Sequence, residues 1–554
     1  MALLIAANFT AITPMLTEFV RHRHLLQRTL TRVPDSDQGL RRPGTCGLTG
    51  LAAGSFVLLT SLYAMVVVVF TLVAGFLVRE TVNTTLRVTR TTTPEAESTT
   101  PRRRRANDRR ADDDGPWYTR ALVLHTRPPA GRLPKDRGAM KRSLFDADHE
   151  AFRESVRAFV ATEIVPNFDT WVAAGIVPRK LFLAAGKSGF LGMDAPEEYG
   201  GGGVPDFRFN RVIIEELMVA GVASAGLGII LHNDVCMPCF RDYTTAEQQS
   251  RWFPGLVSGE LITAVAMTEP GTGSDLASVT TTARRDGDYY NGINSDLVIT
   301  AVKTDPRRKH KGISLLVLER GMEGLERGRK LDKLGEPAQD TAELSFSDVR
   351  APEANLLGEK GQGFAQLVSS LPQERLSIAV AATAAARAAL DWTLEYVKER
   401  KAFRQPTGSF QNSRFVLAEI ATEVDLAQHY TDACIRALNA GDLTAVDASK
   451  AKYWCSKQQG RVVDRCLQLH GGYGYINEYP IARAFVDARI TRIYGGTTEI
   501  MKEVIGRSLG LGSGGLNPIL GVKCGQAFQA ARRAGRARQN AGRKSAKWVD
   551  SPAR

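Results

Sequence analysis

The 554-residue chain has a formal net charge of +13, a value that raises the question of nucleic-acid or membrane partners. Divided along the chain, the balance is +9 in residues 1–139, +8 in 511–554 and −4 in 140–510, so no nucleic-acid function rests on the centre. Seven scattered cysteines, an odd number, argue against a disulfide framework and fit a reducing, cytoplasmic compartment.

Residues 1–46 form a basic extension. Leu48 to Val78 contains no charged residue and passes the length test for a transmembrane helix. It is not amphipathic, as a mitochondrial transit peptide would be, and it lies too far from Met1 for a simple signal peptide. Residues 79–139 turn to Thr, Glu, Ser and Pro and then to clustered Arg and Asp, the composition of a disordered linker. Two readings of 1–139 compete: a membrane anchor on a flexible tether, or an upstream extension from a misplaced start, with Met140 as the true one. The second is slightly favoured because Lys141-Arg142-Ser143 leads straight into a helix.

From Asp146 the pattern is helical, with Phe152, Val156, Phe159, Val160 and Ile164 at helical spacing behind acidic residues of the first turn. This predicts a helical domain over 140–260. Between Leu261 and Leu357 the texture changes to strands, at Leu261–Met267, Asp296–Lys303, Gly312–Leu318 and Thr341–Phe346, which predicts a β domain over 261–360. Long helices return at Gly363–Arg400, Gln411–Ala440 and Thr444–Leu469, the pattern of a bundle over 361–510. Residues 511–554 read as a basic disordered tail. The fold class is therefore α+β, with helical, β and helical domains in that order.

Within the β domain, Thr268-Glu-Pro-Gly-Thr-Gly-Ser-Asp275 is the densest group of backbone-exposing residues in the chain. Its glycines and hydroxyls suit either a plain surface turn or a cradle for a bulky polar ligand, and residue chemistry alone leaves both open. Cys236 and Cys239 form a C-x-x-C, but with no second pair and only His232 nearby they read as small buried residues; no metal site is expected.

Four stretches then combine: Met267–Asp275, Arg400-Lys-Ala-Phe403, Gln468-Leu-His-Gly-Gly-Tyr-Gly-Tyr475 and Ile493-Tyr-Gly-Gly-Thr-Thr-Glu-Ile500. Together they resemble the acyl-CoA dehydrogenase family over about 140–510. Leu371-Pro-Gln-Glu-Arg-Leu376 and the closing Tyr-Gly-Gly-Thr-Thr-Glu-Ile-Met most resemble its long-chain type. The resemblance implies a β-barrel-like middle domain and a C-terminal four-helix bundle. It also implies FAD as cofactor, α,β-desaturation of an acyl-CoA thioester, a homotetramer, and electron-transferring flavoprotein as partner.

Residue by residue, the resemblance implies that Glu374 is the base for the α-proton. Gly495 stands where medium- and short-chain members carry theirs and would line the substrate. Pro372 lacks an N–H to donate, so a kink there would turn Glu374 inward. Met267, Thr268, Gly273 and Ser274 match flavin and pyrophosphate contacts, Ser274 also approaching the CoA chain. Arg400, Phe403 and Gln411 match positions that reach the FAD of a neighbouring subunit; Gln468, Gly471 and Gly472 match another FAD contact, and Thr497 and Glu499 close the set. Arg375 would hold CoA or pair with a helix carboxylate. The thioester oxygen would be met by a flavin ribityl hydroxyl and the backbone N–H of the base itself. His470 reads as a helix-end residue bonding carbonyls rather than as a base. One departure stands out: Tyr290 runs directly into Asn291-Gly292, roughly ten residues short of the family pattern, or about 33 Å of strand. The missing segment would face the flavin. The alternative to an active enzyme is thus a catalytically impaired acyl-CoA-binding or assembly subunit.

Overall fold

The computed structural model describes residues 142–282 and 294–511, all within one compact unit. The expected basic extension 1–46, transmembrane helix 48–78, linker 79–139 and tail beyond 511 lie outside these residues, as does the shortened stretch around 290. Among the described residues no helix is long and apolar enough to cross a membrane.

The first domain is helical: α1 (Ala147–Phe159), α2 (Phe168–Ala174), α3 (Lys180–Lys187), α4 (Phe207–Val219), α5 (Ala223–Leu231), α6 (Met237–Tyr243) and α7 (Ala246–Ser258). Their starts are written in the sequence. Asp146 caps α1, its carboxylate accepting from the Asp148 and His149 amides, and Thr245 with Gln248 forms a capping box on α7. Between α5 and α6, His232–Cys236 is a single π-helical turn. Cys236 and Cys239 are buried there, and burial pushes the Cys239 thiol up to about 12.

The β domain holds β1 (Thr263–Ala266), β2 (Leu297–Lys303), β3 (Ile313–Glu319), β4 (Leu325–Lys330), β5 (Ala342–Phe346) and β6 (Leu356–Leu357). Strands β1-β2-β3-β6 form one sheet, parallel at β1–β2 and antiparallel beyond, while β4 and β5 pair separately. The expected barrel-like closure is therefore corrected: among the described residues of this domain there are two open sheets. The end strands β1 and β6 are only four and two residues long, too short to carry pairing around a cylinder. Strands β4 and β6 were not expected. The pattern Leu-Glu-Arg-Gly-Arg-Lys of β4 carries one apolar residue, and β6 is too short to show alternation.

The C-terminal domain packs α8 (Gly363–Glu399) on α9 (Gln411–Ala440) and α10 (Ala445–His470), with the two-residue strands β7 (Lys401–Ala402) and β8 (Gln405–Pro406) between α8 and α9. Helix α11 (Pro480–Asp487) and helix α12 (Thr498–Ser508) follow, and α12 packs on α10. The helical domains are locked together by buried ion pairs. Arg142 reaches Asp432 and Glu215 at 3.1 Å each, and Arg211 bonds Glu215 at 2.7 Å, so α4 is tied to α9 through largely buried charges.

Candidate active site

The Thr268–Asp275 loop is a tight hairpin. Glu269 and Thr272 exchange both backbone hydrogen bonds at 2.9 Å around Pro270-Gly271. The Glu269 side chain then fastens the loop to the next segment, accepting from the Thr280 and Thr281 amides at 2.7 Å each and from both hydroxyls at 2.6 Å. Burial works against its charge, but the hydrogen bonds from Thr280 and Thr281 win and hold its carboxyl below the usual range. With Glu269 turned inward, Thr268, Gly273 and Ser274 remain exposed, and nothing approaches within 4 Å of where a Cβ on Gly271 or Gly273 would stand.

This loop forms one wall of a cavity of about 500 Å³, the size of a cofactor or substrate site. Met267, Thr268, Gly273 and Ser274 line it together with Glu374, Arg375, Gly495 and Thr497. The cavity also follows one face of α8. Glu374, Ile378, Ala381, Ala385 and Trp392 line it at helical spacing, a face about 27 Å long from first to last. Helix α8 continues through Pro372, which is buried inside it. Glu374 lies on this cavity-facing side, two residues after the proline.

The loop Tyr494–Gly496 meets Glu374 from the other side. Gly495 has φ +63°, and a Cβ there would lie 3.3 Å from Glu374 Oε1 and 2.4 Å from Ile378 Cδ1. A side chain at 495 would thus collide with Ile378 and press on the Glu374 carboxylate beside it. Two buried cations hold the loop. Arg375 Nε donates to the Gly495 carbonyl at 3.3 Å, and Lys452 Nζ donates to the Gly496 carbonyl. Arg375 also reaches Ser449 Oγ at 3.4 Å, and its charge acts on the neighbouring Glu374 carboxyl. Burial raises the Glu374 carboxyl above its ordinary value, while the charges of Arg375 and Lys452 oppose the rise.

Three further cavity groups escaped sequence reading. Burial and the neighbouring Asp487 push Glu336 up to about 8, and Asp487 itself is raised to about 6, chiefly by burial. Tyr494 is held well above its usual value by burial, then by Glu336 and Asp487. Lys452 was missed as well. Its signal is faint: a lone cation on a helix face otherwise made of Ala448, Ser449, Cys455 and Ser456.

Apart from Thr497, the remaining expected residues do not converge on this cavity. Arg400 lies over the Tyr473 ring at 5.6 Å, Phe403 packs edge-on to Phe410 and is 90 % exposed, and Gln411 opens α9. Gln468, Gly471 and Gly472 sit at the end of α10, the two glycines open to solvent with no atom within 4 Å of a built Cβ. This second cluster starts about 38 Å along α8 from Glu374. Thr497 is the N-cap of α12, accepting from the Ile500 amide at 3.4 Å, and Glu499 stands exposed in its first turn. His470 bonds the Cys466 carbonyl at 2.9 Å and stacks on Tyr396 at 4.3 Å, a structural placement.

The described chain matches three family profiles: acyl-CoA dehydrogenase N-terminal domain over residues 146–260, middle domain over 264–349 and C-terminal domain over 361–510. It is 44 % identical over 380 residues to the long-chain specific acyl-CoA dehydrogenase, mitochondrial, of Sus scrofa, covering 66 % of this chain and 88 % of that protein. The crystal structure of acyl-CoA dehydrogenase from Geobacillus kaustophilus superposes with a TM-score of 0.65 at 45 % identity, covering 67 % of this chain and all of that one. Butyryl-CoA dehydrogenase from Megasphaera elsdenii follows at a TM-score of 0.63 and 31 % identity, with 67 % and 100 % covered. Hairpin, cavity, inward carboxylate and sequence agree: the chain is an enzyme of the acyl-CoA dehydrogenase family.

Proposed function

We propose that the protein is an FAD-dependent dehydrogenase of long acyl-CoA thioesters in which Glu374 removes the α-proton. The observation that carries this reading is the meeting of Glu374 with Gly495: the carboxylate stands 3.3 Å from where a Cβ at 495 would lie, inside a mostly apolar cavity. The cavity face of α8, about 27 Å long, suits a long chain, as the name of the Sus scrofa relative also suggests.

The donor set fits a flavin dinucleotide. Thr268, Gly273 and Ser274 offer hydroxyls and unshielded backbone at the cavity wall, and Gly471 and Gly472 do the same in the second cluster. In this reading Met267, Thr268, Gly273, Ser274, Thr497 and Glu499 hold FAD from one chain, while Arg400, Phe403, Gln411, Gln468, Gly471 and Gly472 reach it from a second copy in a homotetramer. FAD, when bound, supplies the acceptor for the β-hydrogen and its electron pair, and electron-transferring flavoprotein takes the electrons onward.

The chain's own residues do the rest. Desolvation makes Glu374 a stronger base than a carboxylate in water, and Arg375 with Lys452 keeps it ionised enough to act. The thioester oxygen needs a backbone donor as negative charge builds on it. The N–H of Glu374, the donor first expected, lies mid-helix and is engaged in the i→i−4 ladder of α8. The Gly495 N–H, on the loop facing Glu374 and without a backbone partner among the described residues, takes that role instead. For the phosphates of CoA, Arg307, Arg308, Lys309, His310 and Lys311 form an exposed basic turn before β3. His310 lies 5.5 Å from Phe364 at the start of α8, about 15 Å along that helix from Glu374.

The test is Glu374→Gln in full-length protein. Retained yellow colour with loss of dye-coupled acyl-CoA oxidation is expected; full activity in the variant removes Glu374 from the mechanism.

A further inference from the structure

Asp234 sits on the π-helical turn His232–Cys236 and is 2 % exposed. Single π-turns inside helical runs recur at functional sites because the extra residue re-aims the chain. Here the turn directs a carboxylate at α8. Asp234 accepts from Ser377 Oγ and, at 2.6 Å, from Asn210 Nδ2 of α4, and its carbonyl accepts from Gln373 Nε2 at 3.3 Å. Gln373 and Ser377 are one helical turn apart and bracket Glu374, so both grips fall on the turn that carries the base. Ser377 also lines the cavity. An almost fully buried carboxyl costs stability unless something compensates it, and no Lys, Arg or His forms an ion pair with Asp234 among the described residues.

We propose that Asp234 is a positioning residue that fixes the Gln373–Ser377 turn of α8 and thereby aims Glu374 at the Tyr494–Gly496 loop. The proposal rests on the reading of Glu374 as the base. Burial pushes the Asp234 carboxyl up to about 7; the hydrogen bonds from Ser377 and Asn210 pull it down, and the charge of Asp194 adds to the rise. Of the groups packed around it, Asn210 and Ser377 are neutral. His232, on the same turn, is turned away, bonding Leu256 O and Thr263 Oγ1 at 3.0 Å each. Asp194 is paired with Arg241. Ionised, Asp234 accepts from both Ser377 and Asn210. Protonated, it must donate one hydrogen bond, and the Ser377 hydroxyl is the partner able to reverse its role. The grip on α8 thus changes across neutral pH.

The experiment compares Asp234→Asn, Ser377→Ala and the double variant in full-length, FAD-loaded protein, with thermal melts confirming folding. Expected is a fall in kcat of order a hundredfold with KM for acyl-CoA little changed, the scale of a base displaced by about an ångström. The double variant should be no worse than either single one. The acidic limb of the kcat–pH profile should simplify in Asp234→Asn, and infrared difference spectra of the resting protein should lose a carboxyl band that titrates near neutrality. Wild-type kcat and pH profile in a folded Asp234→Asn or Ser377→Ala protein overturns the proposal, as does a multiplicative double variant. Glu374→Gln, measured alongside, separates the two readings. If it is inactive while Asp234→Asn is normal, positioning falls alone. If it is active, the base reading falls first and the aim of Glu374 no longer matters.

Discussion

Replacing Lys452 by Met tests whether the cations beneath the Tyr494–Gly496 loop serve catalysis rather than stability. Lys452 is fully buried, and its ammonium is lowered to about 8, first by burial and then by Arg375, with Glu374 and Glu499 opposing. The gap from the ordinary 10.5 corresponds to about 3 kcal/mol. The unfolded chain keeps this proton up to 10.5 and the folded one releases it near 8. The penalty is therefore fully present below pH 8 and fades between 8 and 10.5. Met removes the penalty but leaves the Gly496 carbonyl without its donor, a loss of about 1–3 kcal/mol. The two nearly cancel, so stability at pH 7 should change by less than about 2 kcal/mol. Activity should not be spared. Glu374 loses one of the two cations that favour its ionised form, so the acidic limb of kcat/KM moves to higher pH, and the loop loses a tether, so kcat falls. Dye-coupled oxidation across pH, with a thermal melt at each pH, measures both. An unmoved acidic limb with wild-type kcat would refute the electrostatic account, and a loss of several kcal/mol would show that the lysine is chiefly structural.

Three other perturbations probe separate parts of the molecule. Glu215→Gln breaks the buried cluster between α4 and α9 and should cost about 3–5 kcal/mol in a melt at pH 7. Arg211, Arg142 and Arg153 overcome burial to hold the Glu215 carboxyl far below its ordinary 4.5, so its stabilisation exists above that value and is lost as pH falls; an unshifted melt contradicts this. Reversing Arg307 and Arg308 to Glu should raise KM for acyl-CoA, leave kcat alone and flatten the salt dependence of KM, whereas an unchanged KM places CoA elsewhere. Phe403→Asp should lower both the oligomeric state in gel filtration and the flavin content of the purified protein; a full-sized, fully yellow variant would exclude it from a shared site.

Local signals survived the passage from sequence to structure because local forces decide them. The helix that the sequence predicts from Asp146 onward is present, with Asp146 itself as its cap, and Gln411–Ala440 is helical to the residue. Glu374 was legible because two positions spoke together: a carboxylate in Leu371–Leu376 and a glycine at 495. What sequence could not show are pairings decided by packing. Arg375 reads as a partner for CoA or a carboxylate, and the left-handed turn at Gly495 adds a carbonyl to which it donates. Lys452 looked like one more helix lysine until α10 was packed against α8. Glu269 looked like any loop acid, yet its hydrogen bonds to Thr280 and Thr281 are what keep the hairpin open to the cavity.

The positions matched to cofactor binding divide into two groups that one chain does not bring together, and the length of α8 explains why. Glu374 and the hairpin lie near its N-terminal end, whereas Arg400, Phe403 and the Gly471-Gly472 turn lie beyond its C-terminal end, about 38 Å away. The far group has its own internal order: Arg400 over Tyr473, Phe403 on Phe410, Tyr396 donating to the His470 carbonyl at 3.1 Å. Phe403 and Tyr475 are nonetheless 90 % and 91 % exposed, and Phe403 and Arg404 adopt φ of +50° and +68°, which non-glycine residues rarely hold without compensation. An exposed aromatic on a strained turn, and another beside two glycines with nothing over them, describe a surface shaped for contact. In the proposed homotetramer the cavity and this surface would become halves of one site, a second copy presenting its α8 end to the first hairpin, so assembly and cofactor retention are expected to rise and fall together.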